Sequence, residues 1–154
     1  LSAVMVVLTV CVGNVCRSPV AAAALAREAP WLEVRSAGLA PMTGSDVDPL
    51  TLSAAEAAGL GVPRHRAQAL DEDVVEGVDL VLVMEPFQID AIAVARPDLR
   101  DRTLLFGLWL GNEAIADPRG RSLGVHARCV ERILAAAASW RSRLDAPAKR
   151  KGAR

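Results

Sequence analysis

The chain predicts an α/β protein: a three-layer α/β/α, doubly wound fold on a four-stranded parallel sheet. Two observations carry this. Continuous apolar, β-branched runs alternate with stretches of strong helix formers, and the connections between them are short and punctuated by Pro, Gly, Ser and Asp. Runs apolar at every position, rather than at alternate ones, are those expected of strands buried on both faces of a parallel sheet.

"VMVVLTV" (Val4 to Val10) is the first such strand. After a seven-residue loop, Cys11 to Arg17, Ser18 stands where a helix N-cap belongs and Pro19 at the first helical position. "VAAAALAREA" then runs on as helix until Pro30. "WLEVRSAG" (Trp31 to Gly38) alternates as a second strand, and "PLTLSAAEAAG" (Pro49 to Gly59) reads as the second helix with a glycine stop. "VDLVLVM" (Val78 to Met84) is a third strand. A helix follows from Pro86 to Pro97, and "RTLLFGLWL" (Arg102 to Leu110) supplies a fourth strand or a strand plus turn. A loop leads to the terminal helix, Ser122 to Leu144, whose Val125, Cys129, Ile133, Leu134 and Ala137 share one face.

The length of 154 residues, 52% of them apolar, suits one domain, expected over residues 1–144. No apolar run approaches the roughly 20 residues that cross a bilayer, and no signal peptide precedes the first strand, so a cytoplasmic location without membrane association is expected. Three cysteines do not make a disulfide framework. The net charge of zero hides an asymmetry. Arg141 to Arg154 holds six Lys/Arg against one acid, leaving twelve against seventeen in the body. The last ten residues, 145–154, read as a solvated, disordered basic tail, since they have no aromatic residue and no apolar pattern. Low aromatic content argues against a stacking platform, and no nucleic-acid partner is expected.

The chemistry concentrates in "CVGNVCRSP" (Cys11 to Pro19), at the carboxyl end of the first strand, where ligands bind in such sheets. Gly13 and Asn14 tolerate positive φ, so Val12, Gly13, Asn14, Val15 and Cys16 can curl their N–H groups toward one point. The positive end of the next helix faces the same point, which makes an oxyanion cradle. Arg17 adds a planar fork that fits two oxygens of a phosphoryl group. A thiol at the floor, Cys11, is surrounded by donors that favour its anion, and Ser18 can hydrogen-bond its sulfur. Read alone, Cys11 could equally be a buried small residue. A zinc site is disfavoured, because Cys-x4-Cys finds only Cys129, His65 and His126 to complete it and no second close-spaced pair. No cofactor or metal is expected.

"VCVGNVCRSPVAAAAL" resembles the Cys-x5-Arg-Ser motif of the low-molecular-weight protein tyrosine phosphatase family. The likeness continues through "RSAGL" (Arg35 to Leu39), His65, "DLVLVME" (Asp79 to Glu85) and "ADP" (Ala116 to Pro118). The resemblance implies that Cys11 is the nucleophile, Arg17 the phosphate clamp and Asp117 the general acid and base. It further implies that Asn14, Ser18, Ser36 and His65 form a buried network holding the loop. Cys16 matches a second loop cysteine able to form a reversible disulfide with the nucleophile. The implied substrate is a phosphotyrosine protein such as a bacterial tyrosine autokinase, and the implied state a monomer or weak dimer. His126 is expected at the surface and Cys129 in the core.

Three positions depart from the family pattern. Arg119 replaces the aromatic residue that follows Asp-Pro in many members, and Gln68 stands where arginine is usual. Met42 lies close to the leucine of the bacterial capsule and exopolysaccharide branch, which the chain resembles most. Arginine phosphatases on this scaffold carry threonine where Val15 stands, so valine favours a flat aryl ester. Arsenate reductases need further cysteines downstream, and none lies between Arg17 and Arg128. A non-catalytic phosphate-binding module has no use for Cys11 and Asp117 together.

Overall fold

The structure is a computed structural model that describes residues 4–144; the basic tail expected over 145–154 lies outside the described residues. The strands are β1 (Val6–Cys11), β2 (Glu33–Gly38), β3 (Leu80–Val83) and β4 (Thr103–Leu105). All pair in parallel, in the order β2-β1-β3-β4. The helices are α1 (Arg17–Glu28), α2 (Pro49–Ala57), α3 (Glu72–Val75), α4 (Pro86–Ala95) and α5 (Leu123–Trp140). No described helix is long and apolar enough to cross a membrane.

The alternation of β1 creates two cores. Val6, Leu8 and Val10 pack with Val74, Val75, Ile92 and Leu99, on the side of α3 and α4. Val7 and Cys11 face the other side with Val20, Leu25, Ile133 and Ala137 of α1 and α5. At about 1.5–3 kcal/mol for each fully buried large aliphatic side chain, these two layers dominate the stability of the sheet. Thr9, on the α1 side, is fully buried, and its hydroxyl donates to the Ser18 carbonyl at 2.8 Å, tying β1 to the start of α1.

Several elements differ from their expected bounds. The helix after the first loop begins at Arg17, with Cys16 at the cap position, so Ser18 is not the N-cap. Its hydroxyl is turned instead to Cys11 and Asn14, and its backbone N–H points to the Cys11 sulfur. The fourth strand spans only three residues before the chain turns away, and the short helix α3, capped by Asp71, went unpredicted. The terminal helix ends at Trp140, whose indole N–H donates to the Phe106 carbonyl at 2.8 Å. His126 is not at the surface: it is 1% exposed, between α5 and α2, where its Nδ1 lies 2.7 Å from Thr51 Oγ. The helix turns His126 to the same buried side as Cys129 and Val130, and the Thr51 hydroxyl makes the polar ring tolerable there.

Candidate active site

The loop between β1 and α1 is shaped from outside through its carbonyls. Val12 O accepts from Ala40 N (2.9 Å), Gly13 O from Met42 N (3.0 Å) and Val15 O from Asp48 N (2.8 Å). Asn14 O lies 2.6 Å from His65 Nε2. A trans peptide points its N–H away from its C=O, so four carbonyls drawn outward turn the N–H groups of Gly13, Asn14, Val15 and Cys16 to the concave side. α1 begins at once and adds the positive end of a 12-residue helix. Asn14 alone carries the positive φ, at 56°. Gly13 does not; its bare Cα instead faces the mouth, where an added Cβ would meet Val15, Met42 and Arg119 at 3.5–3.9 Å.

Cys11 Sγ lies at the floor, 3.0 Å from Ser18 Oγ and 3.4 Å from Ser18 N. Asn14 Nδ2 donates to Ser18 Oγ at 2.7 Å and to Ser36 Oγ at 3.1 Å. With its lone pair so occupied, the Ser18 hydroxyl hydrogen has the Cys11 sulfur as its near acceptor, the Ala37 carbonyl being 3.4 Å away. The four residues expected to form a network are thus together, although His65 is only partly buried. Gln68 joins them: its backbone N–H donates to Asn14 Oδ1 at 2.9 Å and its side chain to the Ser36 carbonyl at 3.0 Å. It braces the loop rather than merely altering local packing.

Arg17 is 2% exposed. Its Nη1 donates to Glu85 Oε1 at 2.5 Å and to the Ile115 carbonyl at 2.8 Å, while Nη2 lies 3.7 Å from Asp117 Oδ2. One edge of the guanidinium is therefore fixed by protein, and the Nη2 side faces the mouth. Asp117, half exposed, accepts from Arg119 N through its other oxygen at 3.1 Å, which fixes the carboxylate over the site. Its loop is pinned to the sheet by Ile115 N donating to Met84 O at 2.8 Å. Val15, Met42 and Arg119 also line a groove of about 220 Å³ beside the loop.

The other two cysteines are buried as well. Burial pushes the Cys16 thiol up to about 11, with Asp48 and Asp117 reinforcing the rise and a hydrogen bond from Thr51 opposing it. Burial likewise raises Cys129 to about 12, against the pull of Arg17. Both hold their protons at neutral pH.

Two contributors escaped the sequence reading. Glu85 holds Arg17, and the sequence marks it only as the last residue of "DLVLVME", the acid just before Pro86, with no role attached. Gly38, at the end of β2, is paired in register with Cys11, and a Cβ there would fall 2.5 Å from Val12 O and 3.0 Å from Asn14 Cβ. Only a missing side chain lets the loop close against β2.

The family described as low molecular weight phosphotyrosine protein phosphatase matches this chain over residues 6–150. The low molecular weight protein-tyrosine-phosphatase Wzb of Salmonella typhi is 36% identical over 140 residues, 91% of this chain and 94% of that protein. The solved structure of Vibrio vulnificus Wzb in complex with benzylphosphonate superposes with a TM-score of 0.88 at 32% identity, covering 92% of this chain and all of the other. The YwlE arginine phosphatase from Geobacillus stearothermophilus is similar at a TM-score of 0.83 and 27% identity, over 90% of this chain and 92% of that one. With the match running from β1 through α5, the chain belongs to the low-molecular-weight protein tyrosine phosphatase family.

Proposed function

We propose that this chain hydrolyses phosphotyrosine in proteins through a phosphocysteine at Cys11. The observation that supports it best is the convergence of three groups at one mouth. The Cys11 sulfur lies under two Ser18 donors, Arg17 presents its free edge, and the Asp117 carboxylate stands 3.7 Å from that edge. In the proposed reaction the phosphate oxygens lie among the loop N–H groups and Arg17 Nη2, which stabilise the charge of the transition state. Cys11 attacks phosphorus in line. Asp117 protonates the departing phenolate, then takes a proton from the water that attacks the phosphocysteine. The Ser18 hydroxyl supports the sulfur as it leaves.

The proposed substrate is a phosphotyrosine protein of the bacterial cytoplasm, with a tyrosine autokinase as the candidate. The arginine phosphatase likeness favours a second reading, phosphoarginine. Val15 weighs against it: the side chain is 5% exposed and offers no hydroxyl to a phosphoguanidinium. The test compares phosphotyrosine and phosphoarginine peptides, together with p-nitrophenyl and phenyl phosphate. Cys11→Ser is expected to abolish turnover on all of them. Asp117→Asn is expected to lower kcat by about 10²-fold or more. Its kcat/KM should fall further for phenyl phosphate than for p-nitrophenyl phosphate, whose leaving group needs no proton. Equal losses on the two esters would remove Asp117 as the acid, and faster turnover of phosphoarginine would replace the phosphotyrosine reading.

A further inference from the structure

Beside the phosphate cradle lies a second set of chemically able side chains that the proposed reaction does not use. Cys16, Asp48 and His126 come from the loop, the residue before α2, and α5, and one donor atom from each lies within 4.8 Å of the others. Cys16 and His126 are 3% and 1% exposed. The His126 ring meets Thr51 Oγ through Nδ1, while its Nε2, also buried, has no hydrogen-bond partner among the described residues. One ring nitrogen is thus held by a second partner and the other is unpartnered, the kind of environment in which an imidazole ligates a metal. Asp48 uses Oδ1 to cap α2, accepting from Leu50 N and Thr51 N, and keeps Oδ2 for other work. Asp48 N also holds Val15 O, so the carboxylate is fixed relative to the loop. Of the three, Asp48 lines the groove of about 220 Å³ that opens beside Val15 and Arg119.

We propose that Cys16, Asp48 and His126 form a site for a borderline-soft divalent cation, zinc above all, and that its occupation reversibly inhibits the enzyme. One thiolate, one imidazole and one carboxylate suit zinc rather than magnesium or calcium, and a water entering from the groove supplies the fourth position. Binding forms Zn–S, Zn–N and Zn–O bonds in place of three waters of the hydrated ion, and the Cys16 thiol proton passes to solvent. Tetrahedral donors at about 2.0–2.3 Å from zinc lie about 3.3–3.8 Å apart, so donors that now lie within 4.8 Å of one another draw together by up to about 1–1.5 Å. Cys16 immediately precedes Arg17, and that contraction pulls the cradle out of shape. No local spacing marks this set, because the fold brings an aspartate and a histidine 32 and 110 positions away to Cys16.

The binding half is read in Cys11→Ser protein, which removes the competing active-site sulfur and needs no turnover. Cobalt(II) is expected to give a thiolate charge-transfer band and visible ligand-field bands that zinc displaces. Adding His126→Gln, or Asp48→Asn where the first folds poorly, is expected to weaken cobalt binding at least tenfold. Asparagine still caps α2, so that variant keeps the helix. In the protein with Cys11 intact, zinc is expected to inhibit p-nitrophenyl phosphate hydrolysis, a readout that rests on the proposed activity, with recovery on chelation and a tenfold weaker effect in either variant. An unchanged cobalt spectrum and affinity in both variants would overturn the site. Zinc inhibition equal in all three proteins would overturn its regulatory role and place the ion at Cys11.

Discussion

At the scale of single residues, Arg17 depends on a partner that does no chemistry itself. Its guanidinium is almost fully buried, and a buried cation is tolerable only when paired and hydrogen-bonded. Glu85 and the Ile115 carbonyl meet that need on one edge and fix the direction of the other. Glu85→Gln keeps the shape and removes the charge. It is expected to lower the melting temperature by a few degrees, in keeping with about 1–3 kcal/mol for a charge-assisted hydrogen bond. The positioning role predicts more: inhibition by inorganic phosphate should weaken about tenfold. A stability loss with unchanged phosphate inhibition would show that Ile115 alone orients Arg17. Cys11, Arg17, Ser18 and Asp117 stand out in the sequence as candidates because their spacing is local or tied to a motif. Glu85 and Gln68 could not. They lie 68 and 54 positions from their partners Arg17 and Asn14 and meet them only through the parallel pairing of the sheet.

Among elements, the fit between β2 and the loop after β1 sets the shape of the cradle. β1 and β2 pair in parallel up to Cys11 opposite Gly38, and there the loop doubles back across the end of β2. Gly38→Ala puts a methyl group 2.5 Å from Val12 O, and backbone must shift because the neighbours there are not flexible ends. The expected result is a fall in kcat/KM of about 10²-fold, with about 1–3 kcal/mol lost in a denaturant melt. Gly61→Ala is the control, since nothing lies within 4 Å of its added Cβ, and it should leave both measurements unchanged. A Gly38→Ala enzyme as active as its parent would show that the loop does not depend on this contact. The helix starts were legible to differing degrees. Pro49 and Pro86 mark the first residues of α2 and α4, but Ser18 misled as a cap because its hydroxyl is engaged with the Cys11 sulfur. The short helix α3 was missed because four residues are too few to show a period.

At the scale of the whole molecule, the doubly wound sheet gathers segments from across the chain at one edge. The loop after β1, the end of β2, Glu85 after β3 and the Asp117 loop after β4 all lie at the carboxyl ends of parallel strands. The alternation of strands and helices made the architecture legible, because apolar runs buried on both faces leave few other folds open. The polar interior between α2 and α5 stayed hidden. His126 sits in a stretch whose neighbours face both core and solvent, so only the packed helices show that its ring points inward. The central claim is that phosphate passes through Cys11. Its most direct test is acid quenching of the Asp117→Asn enzyme during turnover of p-nitrophenyl phosphate, followed by peptide mass analysis. The account predicts one added phosphoryl group on the peptide that contains Cys11, absent from Cys11→Ser; turnover with no phosphorylated Cys11 peptide, or with the phosphoryl group on another residue, would contradict it.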